Sequence, residues 1–231
     1  GMDITRQEAW LDRGGVPAEV PDFIAEIVER IAFLGREDKR IDQRSGVSQR
    51  MPITVLESVV SSAERRALLL EEDRAVPRVS DIYGALPAIT GKMELEYEGE
   101  LHGSDRIARE LISAAASGVY QDRAGGSDVE EIIEYFEQGG ALQVGSDSAA
   151  ETCVQGFEIV PGLLKLVQAV GLAPKSCSDG VRAGACELVL EALAAERKIS
   201  RSVTGSYVKA RHDTPPGQGY KGFDPFGGVS P

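Results

Sequence analysis

Five basic residues, Arg36, Lys39, Arg40, Arg44 and Arg50, fall between Arg36 and Pro52 of a chain whose net charge is −12. The stretch reads Arg-Glu-Asp-Lys-Arg-Ile-Asp-Gln-Arg-Ser-Gly-Val-Ser-Gln-Arg-Met-Pro. Ser45-Gly46-Val47-Ser48 predicts a turn that delivers Arg50 to the start of a helix opened by Pro52. A guanidinium held where helix N–H groups also point outward makes an anion site, and phosphate suits it best. The same charges, set against Glu37, Asp38 and Asp42, equally fit a solvated loop laced with ion pairs. Both readings stand on the charge pattern alone.

Other chemistries find no complete set of residues. A nucleotide-hydrolysing loop needs glycines leading into Lys and Ser or Thr, but Gly91-Lys92 is followed by Met93. Ala67-Leu-Leu-Leu-Glu-Glu72 has the look of an apolar strand ending in magnesium-binding acids, yet it closes a helical pattern, so Glu71 and Glu72 read as solvated. Neither serine nor cysteine lies in a recognisable motif with histidine. Cys153, Cys177 and Cys186 lack zinc-ligand spacing, His102 and His212 are isolated, and idle thiols in a reducing compartment are expected. Glu94, Glu96, Glu98 and Glu100 alternate as an exposed, aggregation-resistant edge would, rather than as paired catalytic acids. Catalysis by this chain alone is not expected.

The elements that would position Arg50 follow from periodicity. Hydrophobic residues make up 42% of 231 residues, enough for a sizeable core, while aromatics are only 6%, a balance that favours helix. Val20, Phe23, Ile24, Ile27, Val28, Ile31 and Leu34 predict one amphipathic helix. Ile53, Leu56, Val59 or Val60, Ala63, Ala67 and Leu70 predict a second, with Glu57, Glu64, Arg65 and Arg66 on its far side. Ile82, Leu86 and Ile89 predict a short helix weakened by Gly84 and Pro87, and Met93–Tyr97 predicts a short strand or extended arm. Further helices are predicted around Ile107–Val119, after a capping box at Ser127–Glu130, from Pro161 to Gly171, and after a Ser178 cap; 141–156 reads as loop. Residues 1–17 form a partly ordered lead-in, and 213–231, with four prolines and five glycines, a disordered tail. The acidic balance argues against nucleic acid or an anionic membrane as partner, and no apolar run nears the roughly 18 residues of a membrane span. A soluble, cytoplasmic protein is expected. Gly1 ahead of Met2 has the look of an expression scar, so a longer parent chain is expected too.

Arg44-Ser-Gly-Val-Ser-Gln-Arg-Met-Pro52, Arg65-Arg66, Val76-Pro-Arg-Val-Ser-Asp-Ile82 and Gly91-Lys-Met-Glu-Leu-Glu96, in that order, resemble the magnesium-chelatase ATPase-subunit-like group of AAA+ ATPases. That group is related to the MoxR-type chaperone ATPases and is sometimes labelled sigma-54-interacting. The resemblance covers residues 19–100 and continues more weakly to about 205 through Phe136-Glu-Gln-Gly-Gly140, Pro161-Gly-Leu-Leu164 and Arg197–Ser202. It implies an all-α fold: a helical bundle of the AAA+ lid type over 18–100, then a helical C-terminal extension over 101–212. It also implies that Arg50 is the "sensor 2" arginine that reaches the γ-phosphate of ATP, with Arg44 in support; Arg78 is a lesser candidate for the same site, the favoured alternative being a structural ion-pair partner. ATP would be bound together with a nucleotide-binding core absent from this chain, and magnesium would be held by that core. The implied partners are that core, neighbouring subunits of a ring and a protein to be remodelled.

A second class fits the same residues: a non-catalytic helical adaptor or regulator that binds proteins through 100–212. Arg197, Lys198, Arg201, Lys209 and Arg211 would be its route to nucleic acid.

Overall fold

The computed structural model describes residues 1–210 except Asp12, Gln43 and Ser45. The predicted tail at 213–231, together with Arg211 and His212, lies outside the described residues, as does Ser45 of the predicted turn. The chain runs α1 (Met2–Glu8), α2 (Asp22–Glu37), α3 (Met51–Leu70), α4 (Val79–Gly84), α5 (Leu86–Thr90), α6 (Tyr97–His102) and α7 (Ser104–Ala124). It continues through α8 (Glu130–Glu137), β1 (Leu142–Gln143), α9 (Ala150–Glu158), α10 (Leu163–Ala169), α11 (Asp179–Ala195), β2 (Ile199–Arg201) and β3 (Ser206–Lys209).

The long helices form where the apolar periodicity is strongest. Pro21 is the extended N-cap of α2, which buries Phe23, Ile24, Ile27, Val28 and Ile31. Pro52 sits in the first turn of α3, and Glu71 ends that helix in a left-handed conformation, φ +57°. Ser178 accepts a hydrogen bond from the Val181 amide and caps α11. This last helix is apolar on nearly every side, so it sits at the centre, against α4, α7, α9, α10 and β2. α7 packs on both α11 and α2, and α3 packs on α2. The segments 18–100 and 101–212 contribute to one continuous apolar core.

Close packing at α11 depends on its small residues. A Cβ on Gly180 would lie 2.5 Å from Val76 Cβ. Gly180→Ala is therefore expected to cost about 1–3 kcal/mol by overpacking, measured by urea unfolding. Combined with Val76→Ala the loss should be clearly less than additive; strict additivity would place the cause elsewhere.

Several expectations need correction. The all-α reading of the C-terminal extension misses a three-stranded antiparallel sheet, order β1-β3-β2, in which Leu142 pairs with Tyr207 and Ser200 with Val208. These strands are two to four residues long, too short to show alternation. The signal that was available is Gly205, φ +83°, in the turn between β2 and β3. Residues 141–156 are not one loop: they contain β1 and most of α9, which buries Cys153, Val154 and Phe157. The capping box at Ser127 does not form, because α8 begins at Glu130 and Asp128 Oδ1 accepts that residue's amide at 3.0 Å. The short helix over 82–89 is two, broken at Ala85 just before Pro87.

Of the strand-or-arm alternatives at 93–97, the arm is observed. Met93 and Leu95 make single bridges to Val47 and Ile41, and Tyr97 already opens α6. The lead-in includes α1, and Arg13 docks on α3, 3.1 Å from Glu64 and 3.2 Å from the Glu57 carbonyl. Among the described residues, no helix is long and apolar enough to cross a membrane.

Candidate functional site

Arg50 stands where the sequence places it, as the N-cap of α3, with its side chain exposed and no acidic partner among the described residues. The loop that carries it is pinned to the core by Ile41, Val47 and Met51, all buried, and by the two bridges to the arm. The Ser48 hydroxyl accepts the Arg50 amide at 3.3 Å, and the Ser48 carbonyl accepts the Met51 amide at 3.0 Å. With Met51's N–H engaged and Pro52 lacking one, the helix end offers fewer amides to an anion than a generic N-terminus. The guanidinium is thus the principal donor.

Arg44 is likewise exposed and has no ion pair among the described residues; its amide is held at 2.6 Å by Asp42 Oδ1. Arg40 behaves differently. It bridges Asp38 at 2.7 Å and Glu110 at 2.6 Å, so this part of the stretch is an ion-paired loop. Hydrogen bonding to Arg40 is the main cause that holds Asp38 below the usual carboxylate range. The two readings of the basic stretch therefore divide between its residues: Arg40 is consumed, while Arg44 and Arg50 are presented.

The other arginines separate into buried ties and cavity walls. Arg66, predicted on the far side of α3, is instead buried, bound at 2.6 Å to Asp81 Oδ1 and at 2.7 Å to the Val76 carbonyl. Arg78 is fully buried. It donates to Cys153 Sγ at 2.7 Å and to the Ser148 carbonyl at 3.0 Å, and its Nε lies 3.6 Å from Glu187 Oε1. Burial raises the Glu187 carboxyl, against the opposing pull of Arg78 and the Ser80 amide. These groups join the α3–α4 turn to α9 and α11, a structural role.

A cavity of about 320 Å³ opens between the C-terminal half of α3, α4, α7, the 144–147 loop and the β2–β3 turn. Its inner wall is a layered arrangement. The Arg201 guanidinium lies 4.0 Å from the Tyr83 ring centroid and 3.0 Å from Glu191 Oε2, while the Tyr83 hydroxyl donates to Glu191 Oε1 at 2.6 Å. Burial, then the Glu191 charge, pushes the Tyr83 phenol well above its ordinary range, so it remains a donor. Arg201 would be lowered by burial, but Tyr207 and Glu191 outweigh that and hold it charged. Sequence reading placed Arg201 in a nucleic-acid stretch; its inward pairing removes it from that surface. Lys198 in the same stretch is paired with Glu196 at 2.7 Å.

The chain matches no protein-family model, no curated protein and no solved structure. Among the described residues, no three histidine, cysteine, aspartate or glutamate side chains cluster so as to hold a metal ion. No residue here is assigned to magnesium.

Proposed function

We propose that this chain is the lid and C-terminal module of a magnesium-chelatase-like AAA+ ATPase, sensing bound ATP and coupling its hydrolysis to the remodelling of a partner protein. One observation carries the reading: Arg50 is exposed and, among the described residues, without an acidic partner at the head of a 20-residue helix, on a loop locked into the core. A guanidinium so placed is poised to bind an anion on a body outside this chain, and a nucleotide γ-phosphate in an adjoining core is such an anion. Loss of that contact on hydrolysis would release α3, and the continuous core would pass the motion on as a rigid unit. ATP would be gripped jointly by the core and Arg50, with Arg44 in support.

The test is ATP turnover by the full ATPase that carries this segment together with its core. Arg50→Ala should slow turnover about 100-fold, the scale of losing one preorganised charge-stabilising donor. The urea midpoint should stay at the wild-type value, because the side chain is exposed. Normal hydrolysis by the variant would remove the sensor role.

A second reading, a non-catalytic adaptor, draws on Leu68, Leu69 and Leu70, consecutive apolar residues exposed at the end of α3. It predicts a native chain that binds a protein partner with no ATPase core attached.

A further inference from the structure

The cavity beside α3 has properties that the sensor reading does not use. Four guanidiniums line it: Arg65 from α3, Arg66 one residue on, Arg109 from α7 and Arg201 from β2. Arg66 is matched by Asp81 and Arg201 by Glu191. Arg65 and Arg109 have no acidic partner among the described residues, and Arg109 lies over the Tyr83 ring, 5.8 Å from its centroid. Two acids line the wall: Asp81, which is tied to Arg66, and Asp147, which stands against the other two guanidiniums. In a protein of net charge −12, unpaired cations turned into one concavity are a specific feature.

Two of the lining residues, Arg66 and Ser80, carry polar side-chain atoms buried beneath the wall. Arg66 is 5% exposed, and its buried Nε makes no hydrogen bond, with Glu72 Oε2 4.0 Å away. The Ser80 hydroxyl is buried too, and it lies close enough to Glu187 to help lower that carboxyl. Ser62 and Thr204 add hydroxyls, and the cavity is also walled by the apolar side chains of Leu69, Leu70, Val144 and Val203.

We infer that this cavity binds a small phosphomonoester, its phosphate between Arg65 and Arg109 and its organic part against Leu69 and Val203. Two unpaired guanidiniums match the paired oxygens of a phosphate dianion, as a single lysine would not. The volume, at the low end for small-molecule sites, fits a compact ester. The site is separate from Arg50, which lies about 22 Å away along the same helix at ~1.5 Å rise per residue.

The test is an NMR titration of the whole chain with inorganic phosphate and, separately, phenyl phosphate, at ionic strength held constant with chloride. Saturable amide shifts are expected at Gly84, Arg109 and Gly205. Phenyl phosphate should bind about threefold or more tighter than inorganic phosphate, through the apolar wall. Arg65→Ala/Arg109→Ala should weaken both about tenfold or more, Asp147→Asn should tighten both, and Arg50→Ala should change neither. Shifts that never saturate, that centre on Arg50, or that survive the double substitution would overturn the site. Equal affinity for the two probes would overturn the ester. The wild-type titration decides the matter even if a variant misfolds, and it is independent of the ATPase assay.

Discussion

Replacing Arg78 by Met is expected to cost the fold about 3–5 kcal/mol, because it strands a buried carboxylate. Glu187 is 1% exposed, and its nearest cation is Arg78; once that is gone, the neutral groups of Ser80, its amide at 2.8 Å from Oε2 and its hydroxyl, are left to serve it. The same substitution leaves the Ser146 and Ser148 carbonyls without the guanidinium that they accept from, at 3.3 and 3.0 Å. Arg78 stands on the α3–α4 side, and the groups that its guanidinium bonds or pairs with stand beyond residue 140. The loss should therefore appear as a single cooperative transition at lower urea, not as release of one segment.

Removing both charges is the control. Arg78→Met/Glu187→Met should be more stable than Arg78→Met alone by about 2 kcal/mol, since an apolar pair avoids the unpaired charge. Glu187→Gln should also change the pH profile. The folded-state pKa of Glu187 lies above its unfolded value, so the folded state binds more protons in that window. Wild-type stability contributed by this group accordingly falls as pH rises above the ordinary carboxylate range, and the Gln variant lacks that fall. A loss below about 1 kcal/mol for Arg78→Met would show that water reaches the network and that it is not a tie.

Phe136→Ala is expected to cost a similar amount, about 3–5 kcal/mol, by a different mechanism. Phe136 is fully buried and, with Ile132, is one of only two buried residues of α8 among those described. The helix has eight residues, too few to persist in water without its packed face. Its edge contact with Tyr135, at 5.1 Å and 79°, would vanish as well. Hydrogen exchange should show α8 and its neighbour β3 losing protection first, ahead of α7 and α11. Uniform loss across all helices would mean that α8 is not a separate unit of stability. Tyr135→Ala makes the comparison, since that side chain is only partly buried and should cost far less.

How much of this was legible in the sequence depends on whether a feature is local. The buried stripes of α2, α3 and α7 repeat every three to four residues, so a window of the chain contains the information. Pro52 and Ser178 act on their own neighbours, and both do what their types require at a helix start. The exposed N-cap position of Arg50 is of the same kind. It depends on the turn before it and the proline after it, and the structure adds the pinning by Ile41 and Val47.

Arg65 and Arg66 show where local reading ends. They are adjacent, about 100° apart on the helix surface, and equal in chemistry. Arg66 continues the buried stripe of Val59, Ala63 and Ala67, and it is Asp81 and the Val76 carbonyl that let a charge stay there, while Arg65 is left to face the cavity. The cavity itself draws Arg65, Arg109 and Arg201 from α3, α7 and β2, elements that no window of sequence spans. The sheet is hidden for the same reason: the two residues of β1 have no pattern of their own, and their ladder exists because β3 returns from beyond α11. Sequence by itself determined the long helices and the offered arginine, since propensity, capping and periodicity act within a turn or two. Tertiary structure decided which charges are buried, which remain open, and what they surround, because those outcomes depend on groups that meet only when the chain has folded.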